Sequence, residues 1–373
     1  MKLIKKASQA LRNAVPLWAG ILFCICAMSA VLYVSFIYSP DFADFFNESI
    51  SQSMRFIFAK LTYIFPFSIA EAFVFTSPVI VFLVIRGIFR YMDNHKYGFT
   101  RALISLLAVA SILFSLFTLN FAAGYRGATL DEKMGIETPE ISVDELEETA
   151  LYVVEKLNSL ADDVAFTAGG SSVRGYSHND TVELAYKSYE GLSDEYYFIG
   201  NFKAPVKRLA VSSLMTYTHI SGIYTFMTGE ANLNTNYPEF VNVYTIAHEM
   251  AHQRGIAREN EANFVAYLVC ITSDDPYMQY SGYLNMFEYL VSALGSVSRD
   301  RAKALYSGLD DRVYDELVNY SKFFKKYQNS TASEVVGTVN DSYLQSQGTP
   351  GTKSYGMVVD LAVAYHKSVT GIK

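Results

Sequence analysis

The run His248-Glu249-Met250-Ala251-His252 holds the residues of this sequence best suited to chemistry. On a helix, residues four apart share a face, so His248 and His252 can offer imidazole nitrogens to one tetrahedral ion. Glu249 is offset from that face, where such helices carry the carboxylate that takes a proton from water activated by a metal. The surrounding Phe240, Val243, Tyr244, Ala247 and Ala251 have the spacing of a buried helix. Gly255 is placed to end it in a left-handed turn. A second helix is expected from Glu259, on which Glu259 and Asn263 share a face and Glu261 points elsewhere. Glu259 is the expected third ligand of a single zinc ion. Glu261 is the alternative, because helix starts shift by a residue or two, and Asn263 is a candidate for orienting a ligand histidine.

The Glu-x-x-Ala-Asn pattern at Glu259, Ala262 and Asn263 resembles zinc peptidases that bind metal through two histidines and a distant glutamate, including the M48-like and ImmA-like groups. The spacing departs from theirs: seven residues from His252 to Glu259 is short for those groups. It is nearer the compact glycine turn of the metzincins, whose third ligand would fall on Arg258, a residue that cannot bind zinc. A wider set of motifs covers most of the chain: Pro66-Phe67-Ser68 with Glu71, Thr228-Gly229-Glu230-Ala231-Asn232 with Asn234, residues 248–255 with 259–264, and Ser354-Tyr355-Gly356 with Asp360. Together they resemble an uncharacterised bacterial membrane family, domain of unknown function 3810, regarded as HExxH zinc metallopeptidases. That resemblance implies a mostly helical, zincin-like domain of the gluzincin type, and no particular substrate.

The elements that must hold these residues divide the chain in two. At 373 residues, 51% hydrophobic and 18% charged, it is too apolar for an ordinary soluble protein and too polar to lie wholly in a membrane. Residues 1–123 carry 10 Lys/Arg against 5 Asp/Glu, leaving 20 against 32 for residues 124–373. The acidic part is long enough to bury its own core, and its charge excludes nucleic acid as a partner, since phosphate binding needs Lys and Arg. Three apolar runs, at about 15–38, 66–85 and 102–123, are each long enough to cross a bilayer, which takes roughly 20 residues. The first reads as an uncleaved anchor rather than a signal peptide, because its apolar run is long and further spans follow. Lys2, Lys5, Lys6 and Arg12 precede span one, and Arg86, Arg90, Lys96 and Arg101 lie between spans two and three. The positive-inside rule then places the N-terminus in the cytoplasm and residues 124–373 outside it. Between spans one and two, Phe42, Phe45, Phe46, Ile50, Met54, Ile57 and Leu61 form an apolar stripe, suited to lying on the outer leaflet or packing on the protein. Glu71 reads as an intramembrane carboxylate or, more simply, as an interfacial or capping acid.

In the second part, helices are expected at residues 143–160, 181–190, 204–215, 239–254, 259–271, 282–294, 310–327, 333–345 and 355–367, with one or two short strands within 219–236. The Gly222 to Asn234 segment is either an edge strand able to hold an extended peptide or a structural hairpin. Tyr176, His178, His219, Tyr224 and Tyr237 are candidate oxyanion donors. Cys24 and Cys26 sit in span one and Cys270 stands alone, so neither a disulfide framework nor a cysteine zinc site can be built.

The expectation is a membrane-anchored zinc peptidase with Glu249 as general base, His248, His252 and Glu259 on the metal, the bilayer and a peptide or protein as partners, and lipoproteins or other envelope polypeptides among its substrates. The alternative is a non-catalytic, zinc-stabilised sensor or scaffold. Glu249 argues against it, because a structural site gains nothing from a carboxylate there. Intramembrane proteolysis would require the HExxH helix inside the bilayer, and its acidic, loop-rich surroundings oppose that.

Overall fold

In the computed structural model, residues 15–94, 98–138, 140–351, 353 and 357–370 are described. Lys2, Lys5, Lys6, Arg12, His95, Lys96, Pro139 and the Ser354-Tyr355-Gly356 motif lie outside them. The first span is α1, Leu17–Tyr38. The chain then turns through α2 (Pro40–Phe46), a π-type turn (Asn47–Ser51) and α3 (Gln52–Tyr63). The second and third spans are α4 (Ile69–Asn94) and α5 (Gly98–Asn120). All three are long and apolar enough to cross a membrane. Span two runs further than expected, so Arg86 and Arg90 lie within the helix rather than in a loop. Span three is shifted toward the N-terminus, because residues 121–123 leave it for a tighter turn.

Beyond the spans the chain is mainly helical. It comprises α6 (Leu130–Met134), α7 (Val143–Leu160), α8 (His178–Glu195), α9 (Ser212–Met215), α10 (Glu239–Gln253), α11 (Glu259–Ile271), α12 (Pro276–Val297), α13 (Arg299–Ser307), α14 (Asp311–Lys325), α15 (Thr331–Ser346) and α16 (Val358–Thr370). Ser142 opens α7 by accepting from the Glu145 backbone N–H while the Glu145 side chain bonds back, a capping box that fixes this boundary. The apolar stripe of α7 packs on α12, and α10, α11 and α12 form the centre of the core, where Phe240, Ala247, Phe264, Tyr267 and Phe287 are fully buried.

Two small sheets complete the fold. Strands β1 (Ala165–Phe166) and β2 (Ser172–Val173) pair antiparallel. In the other sheet, ordered β3-β5-β4, β3 (Val206–Arg208) runs parallel to β5 (Glu230–Leu233), and β4 (Gly222–Thr225) pairs antiparallel to β5 at the edge. The helix expected over 204–215 is replaced by β3 and the short α9. The apolar residues there are recruited to a parallel pairing with a strand distant in sequence, which local periodicity cannot register.

The segment between spans one and two is anchored to the protein through Arg55 and Asn47, while Phe45, Ile50, Ile57 and Leu61 of its apolar stripe stay exposed. Arg55, fully buried, donates to Oδ1 and the backbone carbonyl of Asn47, to the Asn120 carbonyl at the end of α5, and at 3.4 Å to the Arg254 carbonyl at the end of α10. Asn47 in turn donates to the Gly255 carbonyl. One guanidinium thus satisfies carbonyls orphaned at two helix C-termini, one from a span and one from the HExxH helix.

Candidate metal centre

The helix α10 carries His248, Glu249 and His252, and it ends as the sequence requires. Gly255 adopts a φ of +94°, the Gly255 N–H donates to the His252 carbonyl and the Ile256 N–H to the Ala251 carbonyl. The reversal delivers Glu259 at the start of α11 directly opposite the histidines. His248 Nε2 lies 3.4 Å from Glu259 Oε2, and His252 Nε2 lies 3.6 Å from Glu259 Oε1. One ligand atom from each of the three residues falls within 4.8 Å of the others. A tetrahedral zinc with bonds of about 2.0–2.1 Å has ligand atoms roughly 3.3–3.4 Å apart, so the donor set fits such an ion.

The tautomer also fits. His252 Nδ1–H donates to the Ile256 carbonyl at 2.7 Å, so Nε2 is the nitrogen turned toward Glu259 and the one that a metal would take. Burial opposes charge on Glu259, yet His252 and His248 hold its carboxyl well below the usual range. Burial likewise opposes charge on His252, and Glu259 reverses that, raising it to about 9. Glu261, the alternative ligand, is turned away: it accepts from Arg258 at 2.8 Å and from the Leu130 N–H at 3.1 Å. A cavity of about 610 Å³ opens on that side of the turn, lined by Arg258, Glu261 and Asp360, and none of His248, His252 or Glu259 reaches it. Asn263 is buried, but its side chain forms no hydrogen bond to either histidine; Tyr244 donates instead to its backbone carbonyl.

Glu249 sits beneath the edge strand. It is buried, the Tyr224 backbone N–H acts to lower its pKa, and its Oε2 has no partner among the described residues. Burial pushes this carboxyl up to about 7 against the pull of His248 and His252. The approach of β4 depends on Gly222, because a Cβ there would stand 2.5 Å from Glu249 Oε1 and 2.6 Å from Thr245 Cγ2.

Of the candidate oxyanion donors, three are committed elsewhere: Tyr176 to Asp275, His178 to the Val206 carbonyl and His219 to the Tyr327 carbonyl. Tyr237 is buried against Phe323. Tyr224 is the one on the strand touching Glu249, and its buried hydroxyl has no partner among the described residues. Sequence reasoning missed Tyr289 on α12 and Tyr343 on α15. Burial raises both hydroxyls, and the charge of Glu259 adds to it, bringing Tyr343 to about 12 despite a bond to Tyr125. Nothing in the local sequence of either helix marks these tyrosines as lying within the field of Glu259.

The remaining motifs meet one another. Glu230 accepts from the Ile69 and Ala70 N–H groups at the start of α4 and pairs with Lys207 at 3.2 Å. Lys207 also donates to the Thr62, Phe65 and Phe67 carbonyls. Glu71, in the first turn of α4, reaches the opposite way and accepts from the Ala210 and Val211 N–H groups. Glu71 therefore holds the segment after β3 to the start of the span. Gly229, with φ +69°, lets the β4–β5 turn touch α3, since a Cβ would lie 2.7 Å from that of Phe58.

Fold and site together define a mainly helical protein, with three candidate membrane-spanning helices at its N-terminus, in which two histidines and a glutamate converge beside an edge strand. The chain belongs to the family described as "Protein of unknown function (DUF3810)", whose model matches residues 42–363. Neither the curated proteins nor the solved structures searched gave a match.

Proposed function

We propose that this protein is a membrane-anchored zinc peptidase of the gluzincin type that hydrolyses peptide bonds outside the cytoplasm. The observation that carries the reading is the convergence of His248, His252 and Glu259 with Glu249 placed between them and an edge strand. His248, His252 and Glu259 would hold the ion. Zinc in such a site lowers the pKa of its water to about 7 and polarises a carbonyl. Glu249, with one oxygen unpartnered in a buried setting, takes the proton from the attacking water and returns it to the leaving amine. The free edge of β4 aligns an extended peptide by backbone hydrogen bonds. Tyr224, Tyr289 and Tyr343 supply the hydroxyls from which the oxyanion donor would come. The charge distribution about the spans supports an extracytoplasmic position for residues 124–373.

The test uses the full chain in lipid nanodiscs, with zinc content and peptide-library cleavage measured for wild type, Glu249→Gln and Glu259→Gln. Expected are one zinc and cleavage for wild type, zinc without cleavage for Glu249→Gln, and loss of zinc for Glu259→Gln. A metal-free wild type would sink the reading. Bound zinc with no cleavage across the libraries would replace it with the sensor or scaffold.

A further inference from the structure

The triad sits at the end of a membrane span. Phe121, the first residue after α5, places its ring 6.0 Å from that of His252. Just before it, in the last turn of α5, Phe117 packs edge-on against Phe226 at 5.4 Å, and Asn120 Nδ2 donates to the Phe226 carbonyl next to β4. The same sheet is clamped to the start of α4 by Glu230 and Glu71. The edge strand is thus pinned to two spans at their domain-facing ends. With the hydrocarbon taken to end where α5 ends and headgroups to occupy roughly 5–7 Å beyond it, the triad would lie on the order of 10 Å from the core of the bilayer. Large apolar side chains are exposed at the same level: Ile64 at 75%, Leu214 at 70%, Phe67 at 50% and Met227 at 41%. Leu214 follows closely on Val211, which Glu71 holds, and Met227 lies in the turn between β4 and β5. Such residues suit the headgroup boundary.

From this placement we propose that the substrate is a polypeptide tethered in the bilayer by a hydrophobic segment, added as a strand to β4 and cut a few residues outside the membrane. The inference rests on the peptidase reading and narrows it. An extended chain advances about 3.3 Å per residue, so about three to six residues bridge the hydrocarbon boundary and the triad. The reaction is hydrolysis: water oxygen bonds to the carbonyl carbon, the C–N bond breaks, and the amine leaves with the proton carried by Glu249. No oxidant or further reactant enters. A tether also raises the effective concentration of the scissile segment at the site.

The experiment compares one peptide sequence in four forms on the full-length protein in nanodiscs: free, acylated, fused to a transmembrane helix, and fused to that helix through a linker of about 30 residues. Forms with a short spacer should show kcat/KM at least about tenfold above the free peptide, with cuts close to the tether, whichever tether is used. Lengthening the linker should remove most of that gain, which co-localisation on the membrane alone would not do. Independently of catalysis, spin labels on Leu214→Cys and Met227→Cys, in a background with Cys24 and Cys26 replaced by Ala, should collide with lipid-dissolved oxygen more than with an aqueous relaxant. Equal cleavage of free and tethered forms, undiminished cleavage with the long linker, or labels in water would each overturn the proposal while leaving the peptidase reading intact. Failure of the zinc-loaded protein to cut any of the four forms or any library peptide would remove the peptidase reading itself, and this inference with it.

Discussion

Gly222 is the residue on which the proposed base most directly depends. A methyl group at this position would stand 2.5 Å from Glu249 Oε1, so Gly222→Ala must lift β4 or turn the carboxylate aside. Overpacking of this kind costs about 1–3 kcal/mol, and displacing a catalytic group by an ångström can cost on the order of 100-fold in rate. The expected result is a protein that keeps its zinc while kcat falls by about two orders of magnitude, checked by metal analysis beside cleavage kinetics. Glu261→Gln should separate the two glutamates. It weakens the contact with Arg258 and the Leu130 N–H, lowering thermal stability, but should leave metal content unchanged, unlike Glu259→Gln. At this scale the sequence was informative where helix geometry decides: His248 and His252 share a face because residues four apart do. The sequence favoured Glu259 over Glu261 by helix face but left Glu261 open, because what turns Glu261 away is Arg258 and the backbone of Leu130, 131 positions upstream of it. Tyr289 and Tyr343 were not legible, being brought into the field of Glu259 by helices that are distant in sequence.

The segment joining spans one and two is the element whose role differs most from what its sequence suggests. Its apolar stripe is visible in the sequence, but Arg55 reads there as an ordinary loop charge. In the structure that guanidinium joins α3, the end of α5 and the end of α10, and burial lowers its pKa to about 10. Removing it strands buried carbonyls, at about 1–3 kcal/mol each. Arg55→Met should therefore lower the thermal midpoint, and a chain beginning at Gly124, which lacks α3 altogether, should retain less zinc than the full protein when both are measured by metal analysis. By contrast the starts of α7 and α11 were legible, since Ser142 with Glu145 and the glycine turn before Glu259 are local signals. Strand β3 was not, because its three residues are strand only by virtue of β5.

Helix α16 ties acid stability to the element carrying Glu259. His366 is buried, and its Nε2 lies 2.7 Å from the hydroxyl of Tyr267 on α11. Burial, helped by Lys156, lowers this imidazole to about 4. Above its unfolded value of about 6.5 both states are neutral and the group has no effect on stability. As pH falls from there toward 4, the unfolded chain takes up the proton first, so stability declines by up to about 3 kcal/mol. His366→Gln should flatten the drop in thermal midpoint between about pH 6.5 and 4 relative to wild type, as followed by calorimetry in nanodiscs.

For the molecule as a whole, the decisive quantity is which side of the membrane the triad occupies. The domain-facing ends of the spans are mutually consistent: α1 leads into the segment anchored by Arg55, α4 begins under Glu230, and α5 ends at Phe121 beside His252. The opposite ends carry Arg86, Arg90 and Arg101. Positive charge at that end favours the cytoplasm, at about 1 kcal/mol per residue near an anionic leaflet. Asp144, on the exposed first turn of α7, should then be labelled by a membrane-impermeant thiol reagent in intact cells as Asp144→Cys, while Lys6→Cys should react only after permeabilisation. The reverse pattern would place the triad on the cytoplasmic surface. The clamp between sheet and spans would be the same in either orientation, so under the proposed tethered-substrate reading orientation would decide which leaflet's polypeptides come within reach of β4, and the clamp would set how close to the membrane they are cut.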